Sequence, residues 1–284
     1  MLTLTLTLSF LSSLERCPSI EGLSANAAEP ISQPAEKYAA HSPHMPKTLL
    51  RLLLLTSALA AVSLGGAASA LACGHGGYSY AGMGAQNRGF GISAIVTPLS
   101  TFNVLNGHVA GWVGVGGPGL GPNGTDEWLQ VGLAGFPGVD GSDIYYEVTQ
   151  PNHYPVYHQV DAGIQANKPV KVTVLEMHNR PNFWRVWVNH RAVSKPIYLA
   201  QSHARWSPIA TAESWDGGTG GTCNTFLYRF RHVALANAMG GGWHPMTSGF
   251  PISSSETKIR HPRGAAAFLA AEGQPAFQFL SLTP

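Results

Sequence analysis

The chain has 284 residues, 44% of them hydrophobic, and its 17 Lys and Arg against 15 Asp and Glu give a formal net charge of +2. From residue 73 onward, 13 basic and 11 acidic side chains are dispersed along the sequence, a balance that points away from nucleic acid and anionic membranes as partners. So few carboxylates also leave few groups whose protonation would cost the fold stability in acid.

The N-terminal part does not read as a folded domain. At Met45 the run "MPKTLLRLLLLTSALAAVSLGGAASALAC" begins with Lys47 and Arg51, continues through an apolar stretch from Leu52 to about Gly66, and ends in two A-x-A sites at Ala70 and Ala72. This is the pattern of a secretory signal peptide over 45–72, too short and too rich in small residues for a stable membrane span. Residues 1–44, with the repeat "LTLTLTL" at 2–8, then read as sequence lying ahead of the true start. Cys73 directly after "ALA" is also the place of a lipoprotein attachment site, but the usual leucine three positions earlier is Ala70. The expectation is a secreted, monomeric chain of residues 73–284 in one domain, with lipid anchoring at Cys73 the lesser reading. Cys73 and Cys223 are the two cysteines left in it, and in an oxidising compartment they most simply make one disulfide; two surface thiols are the alternative.

From Gly91 onward, segments of period-two character alternate with Gly, Pro, Asn and Asp clusters. In order they are "GISAIVTPL", "HVAGWVGVGG", "EWLQVGLAG", "DIYYEVTQ", "PVKVTVLEMH", "FWRVWVNH", "SPIATAESW", "TFLYRFRHVALA" and "PAFQFLSL", each rich in β-branched or aromatic residues. No helical periodicity is sustained anywhere and no internal repeat is present. An all-β, two-sheet antiparallel sandwich or jelly roll follows.

Alternation also sorts the faces. His108, Ala110, Trp112 and Gly114 share one face, opposite Val109, Val113 and Val115. Trp128, Gln130 and Gly132 oppose Leu129, Val131 and Leu133. Tyr145 and Glu147 oppose Ile144, Tyr146 and Val148, while Glu213 and Trp215 oppose Ala212 and Ser214. Several strands thus pair an aromatic with a polar group on their non-core side, as a substrate cleft requires.

Common metal and nucleophile signatures are absent: there is no H-E-x-x-H, C-x-x-C, G-x-S-x-G or P-loop. His153 and His158 lie in a Pro-interrupted, loop-like stretch without an evident third ligand, and Asp140 and Asp143 in "GVDGSD" read as a solvated turn rather than a calcium loop. No metal or cofactor is expected. What remains is carboxylates and amides within strands, where an ionised group is costly unless paired, exposed in a cleft or functional. Gln130 then either satisfies neighbouring backbone groups or stabilises an oxyanion, and Glu213 is either a solvated strand-end residue or a general base.

The ordered series "GWVGVGG", "EWLQVGL", "DIYYEV", "PVKVTVLE", "TAESW" and "FLYRFRHVAL", over residues 111–236, resembles the glutamic peptidases, or eqolisins, whose architecture is that of the concanavalin A-like jelly rolls. That family's pattern runs W-V-G-I-D-G, L-x-Q-x-G, W-Y-E, A-E-W and F-x-x-V-x-F. The resemblance implies a secreted acid endopeptidase acting on polypeptides, with Gln130 and Glu213 as the catalytic pair and Trp112, Trp128, Tyr145, Glu147 and Trp215 lining the substrate site. Two positions depart from the pattern: Gly116 stands where the family has an acidic residue, and Ser214 separates Glu213 from its tryptophan. Two further readings stand beside it. One is a non-catalytic jelly-roll module that binds polysaccharide or protein through the aromatic face. The other is a glycan-cleaving enzyme, which needs two carboxylates about 5–10 Å apart, for which Glu147 and Glu213 are the pair.

Overall fold

The computed structural model describes residues 74–261, 264–274, 279, 281 and 282. The expectations for residues 1–72 and for Cys73 fall outside this range. The described strands, in chain order, are β1 (Gly74–His75), β2 (Tyr78–Gly84), β3 (Gly91–Pro98), β4 (His108–Gly117), β5 (Glu127–Gly135), β6 (Ser142–Thr149), β7 (Val156–Ile164), β8 (Val170–Glu176) and β9 (Phe183–Val188). There follow β10 (Arg191–Ala192), β11 (Ile197–Tyr198), β12 (Ile209–Trp215), β13 (Gly221–Thr222), β14 (Phe226–Ala238), β15 (Gly241–Pro245), β16 (Phe250–Ser253), β17 (Thr257–Arg260) and β18 (Phe268–Glu272).

Two antiparallel sheets make a jelly-roll sandwich. The nine-stranded sheet runs β10-β9-β8-β3-β14-β18-β17, with β11 on β9 and β15 on β14; the seven-stranded sheet runs β16-β2-β12-β4-β5-β6-β7. Their inner faces meet in one core: Val109, Val113, Leu129, Val131 and Leu133 from the seven-stranded sheet pack with Ile92, Val96, Val172, Val174, Tyr228 and Phe230 from the nine-stranded one. Sequence alternation dictates this directly. In β8, "VKVTVLE", Val170, Val172 and Val174 are buried while Lys171, Thr173 and Leu175 stand half-exposed. Each such valine or leucine taken fully out of water contributes about 2 kcal/mol.

A second, smaller apolar cluster lies on the other side of the seven-stranded sheet: Ala110, Trp112, Ala134 and Tyr145, with Tyr80, Phe136 and Ile209 packed against them. Gly132 makes it possible. A Cβ there would lie 2.2 Å from the carbonyl oxygen of Gly111 and 2.7 Å from the Trp112 Cα, so only a bare backbone lets β4 carry its indole at that point.

Two expectations are corrected. "PAFQFLSL" is not a strand where it is described: Phe279 and Ser281 are helical, and Phe279 packs on Leu227, Leu269 and Ala271 of the nine-stranded sheet. Its aromatic spacing suits a strand, but covering an apolar patch asks only for the side chains. His158, expected in a loop, lies within β7, an edge strand paired on one side to β6. An edge strand has little to bury, so its sequence lacks the alternation that reveals inner strands. Cys223 lies just beyond β13. Strand β1 pairs with β13 with Gly74 opposite Thr222.

Candidate active site

The pairings of the seven-stranded sheet put every side chain expected to line the substrate site on its outer face. One row across the strands runs Ile209–Gly114–Gln130–Glu147–Tyr157. The next on the same face runs Thr211–Trp112–Gly132–Tyr145–Gln159. A third runs Tyr80–Glu213–Ala110–Ala134–Asp143, and a fourth holds Tyr78, Trp215 and His108. Trp128 lies one step beyond the first row, opposite Gly116 and Thr149. Leu129, Val131, Ile144, Ala212 and Ser214 point the other way, into the sandwich.

Gln130 sits directly opposite Glu147. Its Nε2 donates to the Tyr145 hydroxyl at 3.1 Å, and Glu147 Oε1 accepts from the Trp128 indole N–H at 2.9 Å. Gln130 is only 8% exposed, so its amide is held by side chains rather than by solvent. Burial pushes the Glu147 carboxyl above the usual range; the Trp128 N–H and the charge of His108 draw it back, and the charge of Glu213 adds to the rise. Burial first, and then the carboxylates Glu213 and Glu147, push the Tyr145 hydroxyl well up, so it keeps its proton.

Glu213 is 5% exposed, and its Oε1 lies 3.4 Å from His108 Nε2. An arc of rings surrounds this pair. Tyr80 stacks on Tyr78 at 6.0 Å and Tyr78 on Trp215 at 5.9 Å; His108 lies 5.6 Å from Trp215 and 6.2 Å from Phe136; Phe136 meets Tyr157, which stacks on Tyr145 at 5.0 Å. Burial and the nearby Glu213 both hold the Tyr78 and Tyr80 hydroxyls protonated.

Gln130 and Glu213 share the face without touching. They are two strands and four residues apart, on the order of 15 Å between α-carbons before sheet twist and curvature. Between them lies a floor made of the Trp112 indole and the Tyr145 ring, both on the intervening row. An acceptor of protons at one end and an amide donor at the other, across an apolar floor, is an arrangement able to hold and polarise a polar bond.

The two departures in sequence have structural consequences. Gly116 has φ +83°, and a Cβ there would meet the Glu127 carbonyl oxygen at 2.3 Å, so an acidic residue does not fit this backbone. Ser214 faces inward, where its hydroxyl accepts from Asn224 Nδ2 at 3.1 Å. The extra residue thereby returns Trp215 to the same face as Glu213, whereas a tryptophan immediately after Glu213 would point into the core.

Sequence reasoning passed over His108 as a partner for Glu213, although it had placed it on the right face, and missed Tyr78 and Tyr80 because β2 was not foreseen. Their period-two spacing in "YSY" was the available signal. Among the described residues no group of three His, Cys, Asp or Glu is arranged to hold a metal ion. His158 stacks on Tyr146 at 4.4 Å, and Asp143 accepts from the Tyr157 hydroxyl.

No family model and no curated protein matches the chain. Among solved structures it is similar to scytalido-glutamic peptidase with a peptide-based transition-state analogue, at 14% identity over 69% of this chain and 98% of that one, with a TM-score of 0.47. SCP-B, of the eqolisin family of peptidases, in complex with the tripeptide Ala-Ile-His, is similar at 12% identity, 69% and 98% coverage and TM-score 0.43. Porphyranase B from Zobellia galactanivorans is similar at 13% identity, 52% and 57% coverage and TM-score 0.26.

Proposed function

We propose that this protein is a glutamic-type endopeptidase that hydrolyses peptide bonds with Glu213 as general base and Gln130 as oxyanion donor. The observation that carries the reading is that a nearly buried carboxylate and a nearly buried amide stand on the same outer sheet face, on either side of the Trp112–Tyr145 row. An extended polypeptide laid on that floor sets its scissile carbonyl between them. Glu213 takes a proton from water as the water oxygen attacks the carbonyl carbon. The Gln130 N–H donates to the oxygen as it becomes negative, a contribution of about 3 kcal/mol in comparable sites. When the tetrahedral intermediate collapses, Glu213 returns the proton to the departing amine nitrogen and the C–N bond breaks. A neutral amide serves this role at any pH, whereas a second carboxylate there would first need protonating. The expected setting is extracellular, after removal of residues 45–72.

The test is incubation of the purified protein with a denatured protein substrate from acidic to neutral pH, beside Glu213→Gln and Gln130→Ala. Cleavage by wild type and its loss in both variants is the expected result; undiminished cleavage by Glu213→Gln removes the proposed base.

One observation favours a second reading, cleavage of a glycan. Glu147 and Glu213 share the face, and burial keeps the Glu147 carboxyl raised, the division of labour between acid and base that glycoside hydrolysis uses. Release of reducing sugar by wild type and not by Glu147→Gln, with no proteolysis, selects it.

A further inference from the structure

Glu213 is nearly buried, and most of the groups around it oppose its charge. Cross-strand it meets Tyr80 on β2 and Ala110 on β4. Burial, and then the charge of Glu213, hold the hydroxyls of Tyr78, Tyr80, Tyr145 and, from the other sheet, Tyr228 protonated. The same charge adds to the rise that burial gives the Glu147 carboxyl. Asp143, at the far end of the row, accepts from Tyr157, and Asp216, just beyond β12, accepts from the N–H groups of Gly218 and Gly220. Among all these titratable neighbours, His108 is the one that gains a positive charge in acid.

The sheet sets up the pair. His108 stands opposite Trp215, diagonal to Glu213, and the residue directly opposite Glu213 is Ala110, too small to come between them. The imidazole is 21% exposed. It lies 5.6 Å from the Trp215 ring and 6.2 Å from both Tyr78 and Phe136, all tilted or edge-on, so three rings fix its plane. That plane turns Nε2 to Glu213 Oε1 at 3.4 Å. At this separation charge counts for more than hydrogen-bond geometry. Oε1 is the oxygen engaged, which leaves Oε2 to meet a water.

We propose that His108 is a positioning residue that keeps Glu213 ionised and aimed in acid, an inference that rests on Glu213 being the general base. In acid the imidazole carries a proton on both nitrogens, so whichever tautomer it adopts when neutral, Nε2–H then presents positive charge to Oε1. A carboxylate withdrawn from water among aromatic rings otherwise favours its protonated form, and that form cannot take a proton from water. The opposite charge offsets this. Towards neutral pH His108 loses its charge, but the solution no longer presses a proton onto the carboxylate. Activity in acid therefore depends on a side chain outside the Glu213–Gln130 pair.

Two measurements test this. The first is kcat on a denatured protein substrate for wild type, for His108→Phe, which keeps a ring without charge, and for His108→Lys, which keeps a charge. His108→Phe should lose roughly tenfold or more at about pH 4 and under about threefold at about pH 7, with KM little changed, while His108→Lys recovers most of the acid activity. A purely structural role would lower kcat alike at both pH values. The second needs no catalysis: urea midpoints of His108→Phe, Glu213→Gln and the double variant. The two substitutions should be non-additive by about 0.3 M or more at about pH 5 and closer to additive at about pH 8. Additive midpoints at the lower pH, or an equal loss of kcat at both pH values, overturn the proposal. If wild type cleaves nothing, the assignment of Glu213 as base falls, and the urea midpoints alone decide whether His108 holds it ionised.

Discussion

Glu272 should make this protein more stable in acid than at neutral pH. The side chain sits on β18 opposite Phe226 and Thr257, is 5% exposed, and has one carboxyl oxygen without a partner among the described residues. Burial raises its pKa from 4.5 to about 7, while the Ser79 and Ser214 hydroxyls pull the other way and Glu256 adds to the rise. Below pH 4.5 the carboxyl is protonated in both folded and unfolded chains. Between 4.5 and about 7 the unfolded chain gives up the proton and the folded one keeps it, so stability falls as pH rises and levels off above 7. The 2.5-unit difference corresponds to at most about 3 kcal/mol. With a urea m-value of about 2 kcal/mol/M for a domain of this size, the unfolding midpoint should fall by about 1–1.5 M from pH 4 to pH 7.5. Glu272→Gln, which stays neutral and similar in shape, should remove most of that decline; Glu127 and Glu147, both also raised, leave a remainder of the same sign. Urea titrations followed by tryptophan fluorescence read it directly. Equal midpoints for wild type at the two pH values, or the full decline persisting in Glu272→Gln, would refute the reasoning.

Three further outcomes are expected. Tyr145→Phe removes the hydroxyl that accepts from Gln130 Nε2; kcat should fall roughly tenfold with KM little changed, whereas a rise in KM alone in steady-state kinetics would assign Tyr145 to substrate binding instead. Gly74 pairs with Thr222, the residue before Cys223; non-reducing peptide mapping should recover a Cys73–Cys223 peptide, and Cys223→Ser should cost about 2–4 kcal/mol in chemical denaturation. Gly132→Ala places a Cβ 2.2 Å from the Gly111 carbonyl oxygen; the backbone must shift, lowering stability by about 1–3 kcal/mol and, if the floor under Trp112 moves with it, activity as well, both measurable on one preparation.

The sequence by itself settled the inner strands that carry the site and their faces. "HVAGWVGVGG" and "EWLQVGLAG" are β4 and β5 residue for residue, and Gln130, Tyr145, Glu147, Glu213 and Trp215 stand on the side alternation assigned, because the side-chain period of two is a local property of an extended backbone. Tertiary structure alone decided who stands next to whom. Register made Glu147 rather than Glu213 the cross-strand neighbour of Gln130, set His108 against Glu213, and inserted β2, with its weak strand sequence, beside β12. Residues dispersed along the chain converge on one sheet face, because successive strands of a sandwich return to the same surface from distant parts of the sequence, and no linear reading registers that return.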